Sequence, residues 1–225
     1  MPRSVAVTVL AAAVSLLPAV GGAEARQAAT AARLKEGRLS ATPIVAIGGG
    51  EVVLELTVSA DGRVTQISQL RATPPYTDLV ADAVRAWQFE PTTRAVEGRG
   101  VAAVGPVLVA AVFRPPSLYA GPAAGTPPRT TGGPSARLPG VDSLVMPGYP
   151  ATAVGDVLVL IEIEMSRTAQ PIAYRILGPA SGFDDGALDA VGDWRFSAPP
   201  SPDVPERLFV YAVVGFRTPV AALTR

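Results

Sequence analysis

Between residues 52 and 58 every second side chain is apolar, with Val52, Leu54, Leu56 and Val58 separated by Val53, Glu55 and Thr57. That period of two predicts a half-buried strand. Asp61-Gly62 follows, and glycine's tolerance of positive φ suits the pair to a tight hairpin. A second strand over 64–70 is expected, and because Val64, Ile67 and Leu70 depart from strict alternation it should bulge or end early. Thr73-Pro74-Pro75 breaks the strand. Thereafter Val80, Ala83, Val84 and Trp87 recur at helical spacing, with Thr77 placed as the N-cap and Pro91 closing the element. A last strand is read over 107–113.

The same pattern is then repeated. Gly50-Glu51-Val52-Val53-Leu54-Glu55-Leu56-Thr57-Val58 returns as Gly155-Asp156-Val157-Leu158-Val159-Leu160-Ile161-Glu162-Ile163, and Trp87-Gln88-Phe89 returns as Trp194-Arg195-Phe196. Glycine and tryptophan are 37 positions apart in the first copy and 39 in the second, so one supersecondary unit is used twice. Strands are expected at 157–164, 172–177 and 208–216, with a helix over 184–194. An offset of 107 carries Leu70 to Leu177, Tyr76 to Phe183, Asp82 to Asp189, Val84 to Val191 and Trp87 to Trp194. The two-residue difference in spacing is assigned to the turn, where 166–171 stands in place of Asp-Gly as a tolerated loop insertion.

Chain direction sets the expected fold class: α+β, two repeats of a three-stranded antiparallel sheet in the order 2-1-3 with a helix on one face. The third strand of each unit then lies at an edge, where free backbone groups can accept an extended peptide. Val107, Val109, Ala111 and Phe113, with Val210, Ala212, Val214 and Phe216, are therefore the candidate peptide-binding positions. Both faces of these strands carry apolar residues, so they need covering. An external peptide is one cover; pairing of the two repeats with each other, or a homo-oligomer, is the other. Trp87, Phe89, Trp194 and Phe196 end the helical stripes and are expected in the core.

Composition removes most catalytic options. The 225 residues include 19 basic and 19 acidic side chains, one lysine (Lys35), and neither cysteine nor histidine. Disulfides, thiolate and imidazole chemistry and the commonest zinc ligands are excluded, and balanced charge provides no electrostatic reason for binding nucleic acid. Asp185, Asp189 and Asp193 share a helical face, which is read as solvated rather than as a metal site. Gly48-Gly49-Gly50 lacks the Gly-Lys-Ser/Thr of a phosphate loop, and there is no Gly-x-Ser-x-Gly elbow. The expectation is a non-enzyme with no cofactor, metal or small-molecule substrate.

Residues 1–25 read as an export signal: Arg3, an apolar run over 5–20, and Ala23-Glu24-Ala25 as a small-x-small cleavage site. The run is shorter than the roughly 20 residues that cross a bilayer. Residues 26–47 are read as a flexible lead, 48–114 and 141–220 as the repeats, and 115–140, rich in proline and glycine, as a linker too poor in large apolar groups to pack.

The ordered set Gly50, Val52, Leu54, Leu56, Val58, Asp61, Gly62, Trp87, Phe89, Pro91, Phe113 and Arg114 resembles the C-terminal domain of the TonB family. Gly155, Val157, Val159, Ile161, Ile163, Trp194, Phe196, Pro199, Phe216 and Arg217 repeat it, after Tyr149-Pro150, which is similar to the family's entry motif. The resemblance covers both repeats. It implies a periplasmic domain that docks extended segments of envelope or outer-membrane receptor proteins by strand addition. A full transducer of that family would carry an uncleaved helix with a histidine and a long proline-rich spacer before the domain. This chain has no histidine, and its proline-rich segment lies between the repeats, so although an uncleaved anchor is the second reading of residues 1–25, a binding or scaffolding role is expected rather than energy transduction.

Overall fold

The computed structural model describes residues 29–40, 48–116 and 128–219; the expected export signal lies outside them. Among the described residues the chain is mixed α/β, mostly strand, with two helices and several sheets. In the first half β1 (Arg33–Glu36), β2 (Gly50–Val58), β3 (Val64–Ala72), α1 (Tyr76–Arg85), β4 (Gln88–Glu90), β5 (Thr92–Val96), β6 (Arg99–Ala103) and β7 (Gly105–Phe113) follow one another. The second half contains β8 (Arg129–Thr130), β9 (Gly140–Ser143), β10 (Val157–Ser166), β11 (Pro171–Gly178), α2 (Asp184–Gly192), β12 (Arg195–Ser197) and β13 (Arg207–Phe216). One seven-stranded sheet, in the order β11-β10-β13-β7-β2-β3-β8, runs through both halves. Each half keeps the order second, first, third strand, and the third strands meet in the middle.

That meeting is a parallel ladder, Val210 opposite Leu108 through to Gly215 opposite Phe113. A two-fold axis along the strands relates the halves, and such a rotation turns the sheet over. The helices accordingly pack on opposite faces. Val52, Leu54, Leu56, Val58, Val107, Val109, Ala111 and Phe113 join Tyr76, Val80, Val84 and Trp87 of the α1 side, together with Tyr211 and Val213 of the other half. Val159, Ile161, Ile163, Val210, Ala212, Val214 and Phe216 join Phe183, Ala187, Val191 and Trp194 of the α2 side, together with Leu108, Ala110 and Val112. Parallel strands buried on both faces read as continuous apolar runs. At Gly215 a Cβ would fall 2.6 Å from Phe113 Cδ1, so the seam needs glycine where the Phe113 ring crosses it.

Each copy is longer than its sequence pattern suggested. The expected flexible lead contains β1, which pairs with β4, and Ala32 and Leu34 are buried against the second half's Tyr211 on the α1 face. β9 pairs with β12 in the same way. The expected linker is likewise not free along its described part: β8 pairs with β3 and Leu138 enters the α2-side core. At the offset of 107, β1 corresponds to β9 and β4 to β12. Between β4 and β7, the first copy inserts a hairpin, β5–β6, turned at Glu97 and Gly98 with φ of 47° and 75°.

Two local expectations are corrected. Thr77 is not an N-cap: α1 begins at Tyr76 behind Pro75, and the Thr77 hydroxyl accepts the Thr73 N–H at 2.8 Å. Nor does the second turn hold an insertion. Gly50 lies opposite Phe113 and Val157 opposite Phe216, so the first strands also align at 107 rather than the 105 that Gly50 and Gly155 imply. Both turns then coincide. Ser59 N–H donates to Arg63 O and Ser166 N–H to Gln170 O, each at 2.9 Å, and Gly62 at φ 82° has Ala169 at φ 58° as its counterpart. The bulge expected in the second strand is present in β3, between the pairs Thr57–Gln66 and Val58–Val64.

Gly62 is the tighter of these two turns, since a Cβ there would lie 2.0 Å from the Phe89 carbonyl oxygen. Gly62→Ala should destabilise the protein by about 2–4 kcal/mol, although alanine is the native residue at 169. Urea unfolding of the variant measures this; a midpoint equal to wild type would contradict the close approach of β4 to the turn.

Candidate functional site

The eight positions expected at peptide-binding edges lie in the seam. Val107 is 1% exposed, and Val109, Ala111, Phe113, Val210, Ala212, Val214 and Phe216 are each 0% exposed. β7 is flanked by β13 and β2, and β13 by β10 and β7. Strands paired on both sides have no free ladder to offer a guest, so the expected docking at these residues is overturned. The cover they required is the pairing of the repeats with each other.

Of the four aromatic residues expected in the core, Trp87, Phe89 and Trp194 are buried, while Phe196 is half-buried at the rim of the α2-side core. The tryptophans do more than fill space. Trp87 Nε1–H donates to Arg38 O, and Trp194 Nε1–H to Val145 O, both at 3.0 Å. Each indole thus anchors the segment that leads into its own repeat, satisfying a donor that burial would otherwise penalise. The carbonyls of Gly48 and Gly155 are also matched, by different means: Tyr76 Oη donates to the first and Tyr149 Oη to the second, which offsets the absence of a hydroxyl on Phe183.

Across the α1 face of the second half lies a polar cluster that sequence reasoning missed. Glu162 on β10 is 2% exposed. Arg33 of β1 reaches it at 2.8 Å, Arg175 of β11 at 3.1 Å, and Tyr211 Oη on β13 at 3.4 Å. Tyr211 Oη also accepts the Leu34 N–H at 2.5 Å, and the Arg33 guanidinium lies 5.0 Å from the Phe209 ring centroid. Burial works to raise the Glu162 carboxyl, but the hydrogen bonds and charges of Arg33 and Arg175 outweigh it and hold the group below its ordinary range. Burial pushes the Tyr211 hydroxyl upward. The cluster fastens β1 to the far half of the sheet. Glu55, its counterpart at the offset of 107, accepts the Ser135 N–H at 2.8 Å, so both lead segments rest on a glutamate of the opposite repeat.

The terminal arginines of the resemblance both act at the C-terminal end of the parallel seam. Arg114 is 0% exposed and donates through Nη1 to Pro147 O at 3.0 Å. Arg217 donates through Nε to Asp156 Oδ2 at 2.9 Å. Asp185, Asp189 and Asp193 are exposed, and no group of three or more His, Cys, Asp or Glu side chains among the described residues is arranged to hold a metal. No helix among the described residues is long and apolar enough to cross a membrane.

The two rims of the seven-stranded sheet differ. At one end β3 is paired on its outer side by β8 at Arg71 and Ala72, a pairing that Thr131 N–H extends to Leu70 O at 2.9 Å. At the other end β11 is the outermost strand, with residues 171–175 exposed. Comparison with protein-family models, curated proteins and solved structures found no match.

A carboxylate held below its ordinary range contributes stability that is present above its unfolded pKa and is lost as pH falls through the folded value. Stability should therefore decline on acidification below about pH 4.5. Glu162→Gln should remove part of that dependence and cost about 1–3 kcal/mol at neutral pH. Unfolding curves between neutral and acidic pH decide this; identical pH profiles for variant and wild type would refute the role of the carboxylate.

Proposed function

We propose that this chain is a non-catalytic scaffolding module of the cell envelope, built from two units that resemble the TonB C-terminal domain and are fused edge to edge. The observation that carries the reading is the parallel seam between β7 and β13. In the resembled domain the third strand is the edge that receives a receptor segment; here each third strand receives the other. The remaining features agree with a body built for rigidity. Both lead segments cross to the opposite repeat, both indoles tie them down, and two buried arginines lie at the C-terminal end of the seam. The apolar amino-terminal run with its small-x-small site supports export to the periplasm. A sequence without histidine or cysteine fits a protein that acts by contact.

Two measurements test the reading. After expression in a Gram-negative host, the protein should be recovered from the periplasmic fraction with its amino terminus at Arg26; recovery from the cytoplasm with Met1 intact would count against export. Titration with extended peptides from outer-membrane receptors should leave the amide protection of residues 107–113 and 208–216 unchanged. Saturable binding accompanied by loss of that protection would replace scaffolding with docking at the third strands.

A further inference from the structure

We infer that β11 is a self-association edge, at which two copies of the chain pair antiparallel about a two-fold axis through Tyr174 and continue the sheet from one molecule into the next. The inference rests on the scaffolding reading and names its partner. Natural sheets protect their rims with charge, proline, bulges or a covering segment. The β3 rim follows that rule: Thr65, Gln66, Ser68 and Gln69 are polar, and β8 occupies its end. The β11 rim follows it only in part: Pro171 opens the strand and two register shifts interrupt its ladder with β10, but among the described residues no segment covers residues 172–176. At the offset of 107, Thr65 and Gln69 become Ile172 and Ile176, and Ile67 becomes Tyr174. Ile172 is 50% and Tyr174 38% exposed. The only charge on the strand, Arg175, is already engaged by Glu162.

The order of residues on this rim suits a copy of itself. Ile172, Tyr174 and Ile176, which share one face of the strand, form an apolar triplet symmetric about Tyr174. Antiparallel pairing centred on Tyr174 sets Ile172 against Ile176 and Tyr174 against Tyr174. Arg175 then faces Ala173, so the two arginines never oppose each other. A two-fold interface must be self-complementary in this sense, and apolar or aromatic cross-strand pairs stabilise while like charges directly opposite destabilise. The pairing of β8 with β3 shows, within the same molecule, that the equivalent rim of the other repeat accepts an antiparallel strand.

The test is the solution mass of the purified protein by sedimentation velocity. Wild type should sediment at twice the mass of one chain. Tyr174→Lys should raise the dimer dissociation constant by at least about tenfold, as should Tyr174→Glu, and mixing the two variants should restore the doubled mass. Thr65→Lys, on the β3 rim, should leave it unchanged. The absence of native cysteine permits a register test that survives any loss of affinity: Ile172→Cys should crosslink with Ile176→Cys on mixing, and neither should crosslink with itself. A single-chain mass at all concentrations, a Tyr174→Lys protein as dimeric as wild type, or self-crosslinking of Ile172→Cys would each overturn the inference. A single chain whose β11 instead protects itself on adding a receptor peptide would assign the rim to a foreign strand. None of these results bears on export or on the seam, which have their own measurements.

Discussion

Strands that are apolar on both faces cannot sit at the rim of a sheet in water, and β7 and β13 are both of this kind. Their pairing with each other removes two exposed ladders at once, and the rest of the architecture follows from it. Because the pairing is parallel, the repeats are related by a rotation about the strand direction, which puts α1 and α2 on opposite faces. Each helix covers its own half of one face. The other half is left for something else to cover, and the lead segment of the opposite repeat fills it.

This division of labour explains where the polar groups are. Ala32 and Leu34 close the α1 face over the second half, while Leu138 and Met146 enter the core on the α2 side. Backbone that crosses a sheet face needs partners for its own donors and acceptors. The indoles of Trp87 and Trp194 and the carboxylates of Glu55 and Glu162 are those partners or hold the segments beside them. Glu162 shows the cost of such a role: a buried carboxylate is tolerable only because two guanidinium groups and a phenol enclose it.

Much of this was legible in the residues, and what was not has a common cause. The long strands and both helices announce themselves through local periodicity, and the order of strands within each half follows from chain direction. The apolar character of residues 107–113 and 208–216 on both faces signalled that a cover was needed, but pattern alone does not distinguish a foreign strand from the sister repeat. Short strands such as β1, β4, β9 and β12 carry no period to detect, and their partners lie some fifty residues away. Nothing adjacent in sequence marks Glu162 as buried, because its partner Arg33 lies 129 residues away. The two-residue slip between Gly50 and Gly155 is of another kind. A strand repeats every second residue, so a shift of two preserves its pattern, and only the ladders to Phe113 and Phe216 reveal the true alignment.

The central position of β7 also has a temporal side. Its neighbour β13 begins 94 residues after β7 ends, so a growing chain finishes the first unit long before the strand that must seal it exists. Throughout that interval the nascent product presents a raw, greasy ribbon to its surroundings, the kind of surface on which unfinished polypeptides clump. The order of manufacture thus leaves β7 without its partner strand until the second half is made.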